Sequence, residues 1–135
     1  QAVEADIPVL AHHRAAMFLD MGSIGPPQEA PLERATEAYL REALPRGEYL
    51  AWVAEADGAI VAGVGVIPRF LMPRPGAPRG GTEAYVLNVF TEEGHRRRGL
   101  STRLMREAVA WARRERFSLV TLHASKMGRV GMGTL

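Results

Sequence analysis

The chain contains no cysteine, and lysine is almost as scarce: of 17 basic residues only Lys126 is a lysine. The first absence excludes disulfides, thiolate zinc sites and a cysteine nucleophile, and it is compatible with a reducing compartment. The second leaves arginine as the cation, whose planar fork of donors suits phosphate. No apolar run reaches the roughly 18 residues that suggest a membrane helix, and no signal-peptide pattern opens the chain. A soluble, cytoplasmic protein is therefore the expectation. Aromatic residues are few, 7% of the chain, and they do not interleave with the basic ones. With no helix-turn-helix pattern either, nucleic acid is a minor expectation as a partner. Repeats and low-complexity linkers are also lacking. What is present, 135 residues of which 47% are hydrophobic, with a net charge of +2, suits one core rather than two. A single domain over residues 1–135 is expected. Gln1 is not a natural start, so truncation at both ends belongs to that expectation.

Along the chain, Asp6 is placed to cap a helix reaching about Leu19, with Pro8 in its first turn and Ile7, Leu10, Met17 and Phe18 on its buried side. Met21 to Pro31 then reads as a loop. Leu32, Ala35, Tyr39, Leu40 and Ala43 outline a second helix, stopped by Pro45 and Gly47. Two strand-like runs, Tyr49 to Ala56 and Ala59 to Ile67, meet at Asp57-Gly58, a strong hairpin signal. Gly63 and Gly65 within the second run point to a bulge or a close backbone approach. Between Pro68 and Gly81 lie four prolines and three glycines. That segment reads as a structured loop, which either shapes a ligand pocket or merely spans two strands.

The most informative stretch follows. Glu83-Ala84-Tyr85-Val86-Leu87-Asn88-Val89-Phe90-Thr91 is rich in β-branched and aromatic residues and free of Gly and Pro, as a strand should be. After a turn containing Arg96, Arg97, Arg98 and Gly99, apolar residues recur at Leu100, Leu104, Met105, Ala108, Trp111 and Ala112, one face of a helix. Arg103, Arg106, Arg113 and Arg114 fall mostly on the other face. Ser118 to His123 reads as a second strand, completing a β-α-β unit with parallel strands. Gly99 lets the backbone come close to a ligand, and the unpaired N–H groups of the first helical turn can hold an anion. A solvated basic helix start is the plainer reading of the same residues.

Arg96-x-x-Gly99-x-Ser101, following Val89-Phe90-Thr91, resembles the Gln/Arg-x-x-Gly-x-Gly/Ala signature of the GNAT superfamily of acyl-CoA-dependent N-acetyltransferases. The order of elements from Gln1 to Ser125 is similar to that family too, with Ser101 departing from the usual Gly or Ala. The resemblance implies an α/β fold with a mixed, mostly antiparallel sheet flanked by helices and a parallel β-α-β cofactor unit. It implies transfer of an acetyl group from acetyl-CoA to a primary amine by direct attack in a ternary complex. Val89, Phe90 and Thr91 would hold the pantetheine arm through their main chain, and a main-chain N–H there would stabilise the oxyanion. The pyrophosphate would lie over Arg97, Arg98, Gly99, Leu100, Ser101 and Thr102, with Arg96 also in the cofactor set.

Catalytic roles are less determined. Glu83, placed where a carboxylate can reach an ammonium directly or through water, is the first candidate base; a solvated strand-end glutamate is the alternative. Asn88 is a candidate for orienting the acceptor or a water, against a role in satisfying backbone groups. His123 reads more as a hydrogen-bonded structural residue. His12 and His13 lack metal-ligand spacing, and no metal is expected. The acceptor, a small molecule or a peptide amine, is left open.

The C-terminal elements read as incomplete. Family members continue after the fifth strand with a helix and two strands, and a tyrosine on that helix often protonates the departing thiolate. Here ten residues follow Ser125, none of them tyrosine, and Tyr39, Tyr49 and Tyr85 precede the signature. Three explanations stand: a longer domain, elements supplied by a partner, or acyl-CoA binding without efficient turnover. An incomplete sheet leaves an edge for a second copy, so a homodimer is an expectation. A non-catalytic acyl-CoA-binding or sensing domain and an arginine-rich nucleic-acid-binding module are the rival functions.

Overall fold

The structure, a computed structural model, describes residues 1–122. Two helices come first, α1 (Ile7–Asp20) and α2 (Pro26–Ala43), then strands β1 (Leu50–Ala56), β2 (Ala59–Leu71) and β3 (Gly81–Thr91). Helix α3 (Leu100–Arg114) and strand β4 (Leu119–Leu122) follow. The strands lie in the order β1-β2-β3-β4, antiparallel in the first two pairings and parallel in the last. This is the mixed sheet with a parallel β-α-β unit that the sequence leads one to expect. His123 and the C-terminal segment lie outside the described residues.

The β1–β2 hairpin turns at Asp57 and Gly58, both with positive φ (52° and 80°), the pair of left-handed residues a type I′ turn requires. Helix α3 has the expected polarity: Leu104, Met105, Ala108, Val109 and Ala112 are buried. Its face packs on Trp52, Ala62, Val64, Val66, Ala84 and Val86 from one side of the sheet. On the other side α1 and α2 bury Ile7, Leu10, Leu40 and Ala43 against Tyr49 and Ala51. Alternation along β3 feeds both cores, with Ala84 and Val86 facing α3 and Leu87 facing α1 and α2.

Three expectations need correction. The loop from Met21 to Pro31 is shorter than expected, because α2 begins at Pro26. Pro26 and Pro27 occupy first-turn positions whose N–H groups have no helical acceptor. Pro31 removes only the bond to the Pro27 carbonyl, and both residues are exposed, so water can satisfy that oxygen. On α1, Met17 and Phe18 are only half-buried, while His13 is buried. The third concerns Pro68: β2 continues through it to Leu71, so the loop shrinks to residues 72–80. Beyond Val66 β2 has no β1 partner, so Pro68 lies where a missing N–H breaks no ladder bond.

Gly65 is the close approach that the glycines of β2 suggest. A Cβ there would stand 2.0 Å from the Tyr49 hydroxyl oxygen and 2.5 Å from its ring carbon Cζ. Tyr49 is buried across this bare backbone, at 3% exposure. Gly65→Ala is expected to destabilise the fold by about 1–3 kcal/mol through overpacking. Combined with Tyr49→Ala, which clears the space, the loss should be clearly less than the sum of the two single losses in denaturant unfolding.

Candidate functional site

Two adjacent residues of β3, Leu87 and Asn88, line the same cavity, which strict alternation along a strand forbids. The pairing of β2 with β3 slips here: Gly63 opposes Phe90, but Gly65 opposes Leu87, so β3 carries one extra residue. Asn88 absorbs the bulge in the left-handed region, at φ 54°, a conformation that Asn tolerates better than most side chains. The glycines of β2 mark the level of the bulge, while the extra residue itself is on β3.

The bulge turns the Asn88 amide toward α1 and the start of β1. Its Oδ1 accepts from Arg14 Nη1, and its Nδ2 donates to Tyr49 Oη at 2.8 Å. A guanidinium has only donors, so this orientation of the amide is fixed by its partners. Tyr49 Oη is thereby an acceptor, and none of the described hydrogen bonds uses its own proton. Burial pushes the Tyr49 hydroxyl above its ordinary value of 10.0, with the Asn88 bond and the nearby Arg14 charge opposing the rise. Tyr49 is consequently neutral and proton-bearing at physiological pH.

Around this triad is a cavity of about 380 Å³, walled by Leu32, Ala35, Thr36, Tyr39 and Leu40 of α2, and by Ile67 and Leu87 of the sheet. No residue of loop 72–80 lines it, so between the two readings of that segment the structure favours the plain connection. The loop tightens into its own turn, with Arg74 and Ala77 bonded to each other at 2.9 and 3.0 Å.

At its far end β3 meets the basic turn. A 3-10 turn, Glu93–His95, leads to Arg97 and Gly99, which have positive φ values of 65° and 73°. The first helical bond is donated by Arg103 N to Gly99 O at 3.0 Å, so the N–H groups of Leu100, Ser101 and Thr102 precede the ladder. A second cavity, about 220 Å³, is lined here by Thr91, His95, Arg96, Arg97, Gly99, Leu100, Ser101 and Thr102. Apart from its chain neighbours, no described residue has an atom within 4 Å of a Cβ placed on Gly99. The donor set and the space fit a pyrophosphate.

The three arginines have different surroundings. Arg96 donates through Nε to Thr91 O at 2.7 Å and through Nη2 to Asp20 at 2.8 Å. It braces the turn against the end of α1, which leaves less of its side chain for a ligand. Arg97 lines the cavity, whereas Arg98 is exposed and does not. Ser101, the departure from Gly or Ala, shares a hydrogen bond of 2.7 Å with Thr91 Oγ1. That bond ties the end of β3 to the first turn of α3.

Strand β4 pairs with β3 from Glu83 to Val86, as far as the described residues extend. The stretch of β3 from Leu87 to Thr91 joins the two cavities, with Leu87 and Asn88 lining the first and Thr91 the second. Val89 and Phe90 lie on this stretch, Val89 packed toward α3 and Phe90 against the His13 ring at 5.0 Å. His13 Nε2 meets Glu92 at 2.9 Å, and its Nδ1 is buried without a partner among the described residues. No group of residues suited to a metal occurs among the described residues. No described helix is long and apolar enough to cross a membrane.

Glu83 does not join the site. Its carboxylate accepts from Thr121 at 2.7 Å and faces Arg69 at 3.6 Å. Five residues separate it from Asn88 along an extended strand, about 17 Å. It is nearly buried and already partnered, so the solvated strand end does not describe its surroundings. Sequence reasoning missed Arg14 and Tyr49. Each looks ordinary on its own element, and only the left-handed residue in β3 brings them together. Gly65 was the available signal, since a glycine inside an apolar strand marks something large crossing it.

Against known proteins, the model of the Acetyltransferase (GNAT) family matches residues 16–128. A GCN5-related N-acetyltransferase from Ralstonia eutropha JMP134 is 31% identical, with a TM-score of 0.84 over 94% of this chain and 82% of that one. A predicted acetyltransferase from Clostridium acetobutylicum, whose structure was solved with acetyl-CoA, is 27% identical. Its TM-score is 0.79, over 95% of this chain and 80% of that one. No curated protein matches the chain significantly. The chain belongs to the GNAT acetyltransferase family.

Asn88→Ala should remove both hydrogen bonds and strain the left-handed backbone, costing about 2–4 kcal/mol in denaturant unfolding. Asn88→Gly, which restores the backbone freedom alone, should recover about 1 kcal/mol of that loss. A second expectation concerns pH. The raised Tyr49 value means the folded state keeps a proton that the unfolded state releases, so the associated stability is complete below pH 10.0 and is lost as pH rises further. Tyr49→Phe should therefore show a shallower decline in Tm above pH 10.0 than the wild type, whatever its Tm at neutral pH.

Proposed function

We propose that this protein transfers the acetyl group of acetyl-CoA to a primary amine by direct attack in a ternary complex. The observation that carries the reading is that both cavities open on one five-residue stretch. Leu87 and Asn88 line the first cavity and Thr91 the second, about 10 Å from Asn88 by strand rise. The main chain between them, Val89 to Thr91, is where an extended pantetheine arm would bond. Phosphates would lie over the N–H groups at Gly99 to Thr102, with Arg97 alongside and Arg98 adding charge from the rim. Val89, Phe90 and Thr91 would hold the arm, and the acceptor would occupy the cavity around Asn88.

The chemistry needs little covalent help from the protein. The acceptor ammonium first gives a proton to water, and the free amine attacks the thioester carbonyl carbon. A C–N bond forms, and the carbonyl oxygen becomes an oxyanion held by a main-chain N–H near the bulge. The nitrogen then loses its second proton, the C–S bond breaks, and the thiolate takes a proton from solvent. Holding amine and thioester together supplies much of the acceleration. Asn88, locked between Arg14 and Tyr49, keeps the bulge in one conformation and so acts as a positioning residue. Glu83 would act only at a distance, through the β3–β4 pairing that its bond to Thr121 supports.

Thermal unfolding with acetyl-CoA, CoA and ATP tests this. At 100 times its dissociation constant acetyl-CoA should add about 2.7 kcal/mol, and ATP much less. Gly99→Val, which strains the left-handed turn and fills the cavity, should abolish that shift. The absence of any acetyl-CoA shift in folded wild-type protein refutes the assignment.

A further inference from the structure

The cavity around Asn88 is supplied with donors and has no anion of its own. Arg14 is half-buried within it, on the neutral Asn88 amide and over the Phe18 ring at 4.8 Å. Four other arginines of the described residues have carboxylate partners: Arg41 has Glu37, Arg46 has Glu42, Arg69 has Glu83 and Arg96 has Asp20. No such pair includes Arg14. Two acids of α2 are engaged by other residues, Glu33 by His12 at 2.6 Å and Glu37 by Arg41 at 2.9 Å. None of the ten lining residues is acidic.

The neutral polar groups point the same way. Asn88 spends its amide on Arg14 and Tyr49. Thr36 donates to Leu32 O at 2.8 Å. Tyr49 accepts from Asn88, which leaves its own proton to donate. A half-buried guanidinium with one amide partner retains unused N–H donors and is poorly compensated for lost hydration. A ligand bringing an anion gains charge-assisted bonds there, whereas a second cation meets repulsion without an acid to offset it.

We propose that the acceptor is a carboxylate-bearing primary amine of amino-acid size, with its carboxylate bound by Arg14 and Tyr49 and an apolar substituent against Leu32, Leu40 and Ile67. At about 380 Å³ the cavity is near the small end of ligand sites, roughly 300–1,000 Å³. Carboxylate capture at Arg14 leaves the amine to reach the bulge at Leu87 to Val89. Polyamines are excluded as acceptors by the same charge argument. The inference rests on the acetyltransferase reading for the reacting end of the acceptor, while its anion subsite stands on the cavity alone.

The test compares matched ligands that differ by one carboxylate: leucine against 3-methylbutylamine, and phenylalanine against phenethylamine. Binding to the full chain is measured by calorimetry, with and without CoA, and the phosphonate analogue of leucine and spermidine complete the set. The carboxylate member of each pair should bind at least about tenfold tighter to wild type. Arg14→Gln should lose that preference and Arg14→Lys should keep part of it. Equal binding within pairs, no binding of either member, or a preference for spermidine overturns the proposal. Tighter binding of the phosphonate than of leucine overturns the carboxylate assignment in favour of a phosphate-type anion. An acetyl-CoA shift without carboxylate preference sinks this inference alone. Carboxylate preference without an acetyl-CoA shift sinks the transferase reading and supports the Arg14 subsite.

Discussion

Asn88 holds one residue of β3 in the left-handed region, and the arrangement of the site follows from that departure. Without it, Asn88 would point toward α3, and the cavity on the other face would lose its polar centre. The bulge is supported from three directions. Arg14 reaches it from α1, Tyr49 from the start of β1, and Gly65 supplies the bare backbone over which Tyr49 lies. Each support depends on another, since the Tyr49 ring fits only across a glycine and its hydroxyl has its described bond only at Asn88. A strained backbone angle persists when its surroundings determine it this fully.

The second end of the site is built differently. The basic turn presents backbone groups, which a helix start leaves unbonded whatever its side chains are. Side chains there mainly hold the turn in place. Ser101 bonds Thr91, and Arg96 links Thr91 to Asp20. These bonds connect the end of β3, the first turn of α3 and the end of α1, so the two cavities are fixed relative to each other by short-range contacts. A rigid separation matters for a reaction between two substrates, because proximity has to be set before the chemistry begins.

Much of the fold was legible because local chemistry and tertiary need agree. Asp57-Gly58 specifies its turn, the apolar face of α3 specifies its packing, and Gly99 requires the left-handed angle that opens the helix. Legibility failed where proline or context overrode local rules. Pro26 and Pro27 look like breakers but begin α2, and Pro68 looks like a loop residue but falls where β2 has lost one neighbour. In the site, the basic turn that lines the second cavity is contiguous in sequence and could be read directly. The cavity around Asn88 draws on α1, α2, strands β2 and β3 and the residue leading into β1, so Arg14 and Tyr49 become visible only once the chain is folded. Glu83 shows the converse: its position along the strand looked suitable, but the register with β4 places Thr121 on its carboxylate.

The cations around the site also bear on the protein's own chemical inertness. Among the described residues every basic side chain other than histidine is an arginine. A guanidinium stays protonated at any physiological pH and offers no free electron pair for attack. A lysine in the same turn would carry an amine chemically equivalent to that of an acceptor and permanently close to an activated thioester. On the acetyl-CoA reading, the turn attracts phosphate with groups that cannot become acylated, so the enzyme can hold its donor without slowly labelling itself and erasing the charge on which that hold depends.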